Sequence, residues 1–325
     1  MKIKKILIIL LAGLFLFTAV LAGCGEAKVI KVSELNWGSA QFQSAVAKIL
    51  IEEGYGESVE LVPGATIPLT QGLRSGDVDV MIEGWYQNQK EAIEAGLAAK
   101  EIEILGYLND DNWQSAFVVP TYIVEENPGL KSVQDLAKPE FKELFANPEN
   151  PSNGLILNGP PGWECEIVVP KQIEAYGLAD DYDTLNAGSS DGLFASLKSA
   201  YDKKEPWIGY LWGPTWISGA LDLTLLEEPA FTEELWADYA CGWPSVDLFV
   251  ASHMGFADDY PELATMFGKW EFDTATLAMV LSYMNESGSE PSETAVWFLK
   301  NHEDKWTKFV TDKAADKVKK AIADM

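Results

Sequence analysis

The stretch best equipped for chemistry is Asn158-Gly-Pro-Pro-Gly-Trp163-Glu-Cys-Glu166. Its prolines and glycines bend and stiffen the chain just ahead of one tryptophan. The acidic, helix-tolerant run 164–176 follows at once, so Trp163 falls where a loop becomes a helix. Main-chain N–H groups in a helix's first turn lack intrahelical acceptors and suit an anion, whereas an indole face suits a cation. Together they fit a small zwitterion. Trp85, in Glu83-Gly84-Trp85, and Trp212, in Tyr210-Leu-Trp212-Gly-Pro-Thr-Trp216, also stand at strand ends or Gly/Pro turns, where side chains face a cleft. Trp37 closes the first strand in the same way. The chain has 12 tryptophans, and the plain role for any one of them is packing. Trp236, Trp270, Trp297 and Trp306 are expected to serve that role.

The elements that must position these residues follow from hydrophobic periodicity. A strand over 29–37, a helix over 40–53, a strand over 58–62, a helix over 67–74 and a strand over 78–82 give the order βαβαβ. That order implies a parallel sheet with ligands beyond the carboxyl ends of its strands. The apolar run 116–123, broken by Pro120, suits a crossing between lobes better than a central strand. A second α/β unit follows: a helix near 132–136, a strand over 154–157, the helix after Trp163, a helix over 191–201 and a strand over 207–212. Residues 246–252 read as a return crossing, and helices over 261–269, 274–285, 293–301 and 304–323 complete the chain. Two crossings between two α/β lobes describe a hinged clamshell. The expected division is a leader at 1–23, the first lobe at 24–119 and 247–325, and the second lobe at 120–246.

Lys2, Lys4 and Lys5 precede the apolar run 6–21, which ends in Leu21-Ala22-Gly23-Cys24. This resembles the lipobox of bacterial lipoproteins, in which the cysteine is lipidated and becomes the new N-terminus. The expectation is an extracytoplasmic protein anchored to a membrane through Cys24. The formal net charge of −26 disfavours nucleic acid and anionic lipid as partners. Beyond Cys24 only Cys165 and Cys241 remain, which could pair in an oxidising compartment but do not make a disulfide scaffold. No metal-ligand spacing or phosphate loop occurs, so neither metal nor cofactor is expected.

Three segments, in order along the mature chain, resemble the glycine betaine/proline betaine-binding proteins of ABC transporters: Gly84-Trp85-Tyr-Gln-Asn-Gln89, Asn158-Gly-Pro-Pro-Gly-Trp163-Glu-Cys-Glu166, and Tyr210-Leu-Trp212-Gly-Pro-Thr-Trp216. The resemblance implies a two-lobed, type II periplasmic-binding-protein (Venus-flytrap) fold. It also implies a quaternary-ammonium ligand, delivery to a permease and action as a monomer. A trimethylammonium group has no N–H to donate, so indole faces recognise it by cation–π attraction. In the family a box of tryptophans does this, here Trp85, Trp163 and Trp212. The ligand carboxylate is held by main-chain amides, here those of Glu164 and Cys165, and by a histidine whose place Gln89 takes. Glu164 replaces a small residue beside the carboxylate site, and a first-turn glutamate is expected to point outward, toward solvent.

Choline, carnitine, a sulfur betaine or another small amine remain alternative ligands, because an aromatic cage reads the cationic head and not the tail. Amino-acid receptors usually clamp the α-carboxylate with arginine, and the only arginine, Arg74, precedes a Ser-Gly-Asp turn suited to the surface. An enzyme reading has one foothold. Gly188-Ser-Ser190-Asp-Gly192 has the spacing of a hydrolase nucleophile elbow, with His253 and His302 downstream. The pattern requires a buried strand before it, but 182–187 is mostly polar. A serine there more simply caps the helix that follows.

Overall fold

The computed structural model describes residues 28–108, 115–323 and 325, so the leader and Cys24 lie outside the described residues. Among the described residues, ten strands form two five-stranded sheets. The first contains β1 (Ile30–Leu35), β2 (Val59–Gly64), β3 (Val80–Trp85) and β4 (Ile102–Tyr107). The second contains β5 (Ala116–Pro120), β6 (Gly154–Asn158), β7 (Tyr182–Asn186), β8 (Gly209–Leu211) and β9 (Leu223–Leu225). The last strand, β10 (Leu248–His253), returns to the first sheet, giving the orders β2-β1-β3-β10-β4 and β7-β6-β8-β5-β9.

The two sheets are built alike. In each, four strands run in one direction and a single strand of opposite direction is inserted between the last two of them. β1 pairs in parallel with β2 and β3, and β6 with β7 and β8. β10 runs antiparallel between β3 and β4, and β5 antiparallel between β8 and β9. These mixed sheets correct two expectations. The run that begins at Ala116 is a buried sheet strand, so the chain has already reached the second sheet at that point. Pro120 is tolerated because it ends the strand and leads directly into the helix Thr121–Glu126. Similarly, most of 246–252 is β10, apolar from Leu248 to Ala251 and buried along almost its whole length.

The helices fall near their expected places, with differences at the ends. The helix Gly38–Ile49 continues into a π-helical turn, Leu50–Tyr55, ended by Gly56 in the left-handed region. The stretch near 132–136 is a 3₁₀ turn, Val133–Ala137. The C-terminal run divides into the helices Glu303–Trp306 and Asp312–Ala323. In the first lobe's core Phe42 meets Phe272 and Phe298 edge-on, and Trp270 lies against Phe309. Trp270 and Trp306 are fully buried there, as packing tryptophans should be.

The candidate ligand site between the two sheets

Each wall of the site comes from the carboxyl end of a parallel strand, the position an open α/β sheet offers to ligands. From the first lobe come Trp37 just past β1, Thr66 past β2, Trp85 as the last residue of β3, and Asn88 in the 3₁₀ turn that follows. From the second come Trp163, Glu164 and Cys165 after β6, Tyr210 within β8, and Trp212 just beyond it. Together they enclose a cavity in which the centre of a water molecule could range over about 30 Å³. That exceeds the ~10–15 Å³ a single water needs.

Trp163 holds the centre of the aromatic wall. Its ring lies edge-on to Trp212, with centroids 4.8 Å apart, and to Trp37 at 5.4 Å. Tyr210 stacks beside Trp212 at 6.1 Å. Trp163 thus stands steeply inclined to both Trp37 and Trp212 on the cavity wall, and all four tryptophans of the cavity are buried. Among the described residues no lysine, arginine or histidine lines it. Among the described residues, Trp85 Nε1 and Asn88 Oδ1 are buried polar atoms with no hydrogen bond of ordinary geometry. The Trp85 N–H lies near the Glu83 carboxylate, and Asn88 Oδ1 offers a ligand one acceptor.

The lobes meet around the cavity. Trp163 Nε1 donates to Asn36 Oδ1 at 2.6 Å, and Ile67 N donates to Gly162 O at 3.1 Å. Gly162, at φ +83°, approaches so closely that a Cβ there would stand 2.7 Å from that of Ala65. Only glycine meets both demands.

Glu164 opens the helix Cys165–Ala175, where main-chain N–H groups have no acceptor within the helix. Its side chain lines the cavity and the groove leading from it, which corrects the expectation of an outward glutamate. Burial raises its carboxyl to about 7; Lys171 opposes the shift and Glu91 adds to it. Cys165 lies against the cavity as a buried free thiol, pushed up to about 12 chiefly by burial, so it is not nucleophilic at neutral pH. Cys241 is also free and buried.

The cavity thus brings together six of the residues singled out from the sequence: Trp37, Trp85, Trp163, Glu164, Cys165 and Trp212. Gln89 is set apart. It accepts a hydrogen bond from Thr70, leaves its Nε2 without a partner, and lines the adjoining groove that shares Asn88 and Glu164 with the cavity. Its neighbour Asn88 faces the site instead, because the tight turn Gln87–Gln89 rotates successive side chains in a way that spacing alone does not reveal. Tyr210 was legible in principle, since it precedes Trp212 by two residues and so shares its side of an extended chain. Thr66 carried no sequence signal.

The serines of the hydrolase-like pattern are otherwise engaged. Ser189 Oγ accepts from Gly192 N as the helix cap, and Ser190 Oγ donates to Asn36 O at 3.4 Å. The polar stretch ahead of them is the edge strand β7. His253 contacts Leu73 O, and His302 packs on Trp297 and Phe298. Among the described residues no group of His, Cys, Asp or Glu could hold a metal ion, and no helix is long and apolar enough to cross a membrane.

Residues 28–301 match the family model of the substrate-binding domain of ABC-type glycine betaine transport systems. The chain belongs to that family. It is 25% identical over 327 residues to the trimethylamine N-oxide-binding protein of Pelagibacter ubique, covering 95% of this chain and 99% of the relative. A solved ABC-transporter choline-binding protein in complex with choline superposes with a TM-score of 0.74 at 16% identity, covering 90% of this chain and 98% of that one. Lactococcal OpuAC, closed on glycine betaine, gives a TM-score of 0.69 at 20% identity, covering 87% of this chain and all of that one. The fold is that of the type II periplasmic binding proteins, with two mixed sheets flanked by helices.

Proposed function

We propose that this protein captures a small quaternary-ammonium compound, glycine betaine or a close relative, in an aromatic cage formed by Trp37, Trp85, Trp163, Tyr210 and Trp212. It delivers the ligand to the permease of an ABC importer. The observation that carries the reading is the inter-lobe cavity walled by four tryptophans and a tyrosine, with no basic residue among the described ones. A trimethylammonium head cannot be read by hydrogen bonds but is read well by converging π faces that exclude water, each worth up to ~2 kcal/mol. Micromolar binding requires about 8 kcal/mol, so the cage can supply much of it. The family match and the likeness to a trimethylamine N-oxide-binding protein support the same head group.

At the far end of the ligand, the main-chain amides of Glu164 and Cys165 receive a carboxylate or another anionic oxygen. The Glu164 carboxyl gives the choline reading a specific basis. When ionised it attracts a bare cation and repels a second carboxylate; when protonated it donates to an anionic oxygen. We assign the protein no catalytic role. Lipidated Cys24 tethers a monomer outside the cytoplasm, beside its permease, with Leu21-Ala22-Gly23-Cys24 as support. A stable anchor needs more than one acyl chain, and a Cys24→Ala protein recovered in the soluble fraction is the expected outcome.

The ligand itself is tested by calorimetric titration with glycine betaine, proline betaine, carnitine, choline, trimethylamine N-oxide and proline. A trimethylammonium compound should bind tightest. Proline binding tightest would overturn the reading.

A further inference from the structure

Behind the indoles of the first lobe lies a carboxylate that the cage alone does not account for. Glu83 stands in β3 at φ +60°, a left-handed conformation unusual for a residue with a side chain. β10 pairs Phe249 with Gly84 and Ala251 with Met81, so β3 carries one extra residue between those pairs. Bulges of this kind re-aim side chains. This one turns Glu83 into the interior, where it is 2% exposed.

There Oε1 accepts from Trp37 Nε1 at 2.6 Å and from Ser39 Oγ at 2.8 Å, and Oε2 accepts from Gln43 Nε2. Gln43 is held in turn by Trp270 Nε1, 2.9 Å from its side-chain oxygen. Every donor is neutral. Among the described residues no lysine, arginine or histidine forms an ion pair with Glu83, although buried carboxylates ordinarily have a cationic partner. Trp37, which binds it, and Trp85, two residues along the same strand, both form cavity wall.

We propose that Glu83 is the fixed anion of the site. It orients Trp37, draws electron density onto the indole that faces the ligand, and makes the cavity prefer a cation over a neutral molecule of the same shape. The inference rests on the cation-binding reading above. Glu83 is a positioning residue: its charge acts through the cage wall, since an indole N–H donated to a carboxylate deepens the negative face of its ring. Burial lifts its carboxyl to about 7 against the hydrogen bonds from Trp37, Ser39 and Gln43, so an arriving cation favours the ionised form and binding releases protons. The groups around it are Ser39 and Gln43 of the helix Gly38–Ile49, Trp85, and Trp270 behind Gln43. Across the cavity stand Glu164 and Cys165. Glu164 also titrates near neutrality, so its contribution must be removed.

The test is a calorimetric titration of the protein carrying Glu164→Gln with choline and with choline's neutral tert-butyl analogue, from about pH 5.5 to about 8.5. Choline affinity should rise up to about tenfold as pH passes 7, with proton release seen on repeating the titration in buffers of different ionisation enthalpy, while the analogue's affinity stays flat. Adding Glu83→Gln should abolish the rise and lower the choline-to-analogue affinity ratio at high pH by at least about tenfold. Equal weakening of both ligands would mark a merely structural residue and overturn the proposal. If the Glu83→Gln protein does not fold, the Glu164→Gln protein alone decides: choline binding without pH dependence or proton release overturns it. If the unsubstituted protein binds no quaternary-ammonium ion at all, the cation reading falls as well.

Discussion

Trp163, a cavity-wall tryptophan of the second lobe, donates its indole N–H to Asn36 of the first at 2.6 Å. The residue proposed to hold the ligand is therefore also a latch between lobes. A ligand that bridges the lobes binds the shut form best and shifts the population toward it. An Asn36→Ala substitution removes one hydrogen bond of the closed state, worth about 1 kcal/mol. Affinity should fall about fivefold, mainly through faster ligand release in stopped-flow tryptophan fluorescence. An unchanged release rate would mean that this bond plays no part in closure.

Stability should rise on mild acidification. Glu83, Glu164 and Glu228 have carboxyls raised to about 7, each mainly by burial, from an ordinary value of 4.5. Between those two values the folded protein holds more protons than the unfolded chain, so these groups stabilise it at low pH and the contribution is lost as pH rises through about 7. One pKa unit is worth ~1.4 kcal/mol, and Glu164, still partly solvated, contributes less than Glu83. Asp135, Asp183 and Asp273 have the opposite sign. Hydrogen bonds, first those from Lys138, Asn147 and Thr276 respectively, hold them below the ordinary aspartate value, and their contribution is lost under stronger acid. The ligand-free protein should melt at a higher temperature near pH 5 than near pH 8, with the net charge of −26 acting in the same direction. A melting temperature that climbs from pH 5 to pH 8 would contradict this.

Glu164 should set the order of ligands. Above pH 7 its carboxylate favours choline and disfavours betaines, so Glu164→Gln should lower the choline-to-glycine betaine affinity ratio at pH 8 by about tenfold, ~1.4 kcal/mol. In the unsubstituted protein the same ratio should fall as pH drops through about 7. A ratio unmoved by either change would remove Glu164 from ligand selection.

Much of this architecture was legible because its signals are local. Alternating strands and helices announced the parallel strands, and tryptophans beside Gly/Pro turns marked their carboxyl ends. The inserted strands β5 and β10 misled because a fully buried central strand and a crossing both read as short apolar runs; pairing partners, which no local pattern supplies, tell them apart. At the site, Trp37, Trp85, Trp163 and Trp212 declared themselves by position. Glu164 did not, because which way a first-turn side chain points depends on the opposite lobe. Glu83 was visible as a residue but not as a buried anion, since its inward turn comes from a bulge set by the register of β10, which is distant in sequence.

The central claim is that facing indoles hold the ligand's cationic head. It is tested most directly by calorimetric titration of the Trp163→Ala and Trp212→Ala proteins with the trimethylammonium compound that the unsubstituted protein binds tightest. Each substitution should weaken binding at least about tenfold, ~1.4 kcal/mol, while both proteins keep a cooperative thermal transition. Folded proteins whose affinities equal that of the unsubstituted chain would contradict the cage.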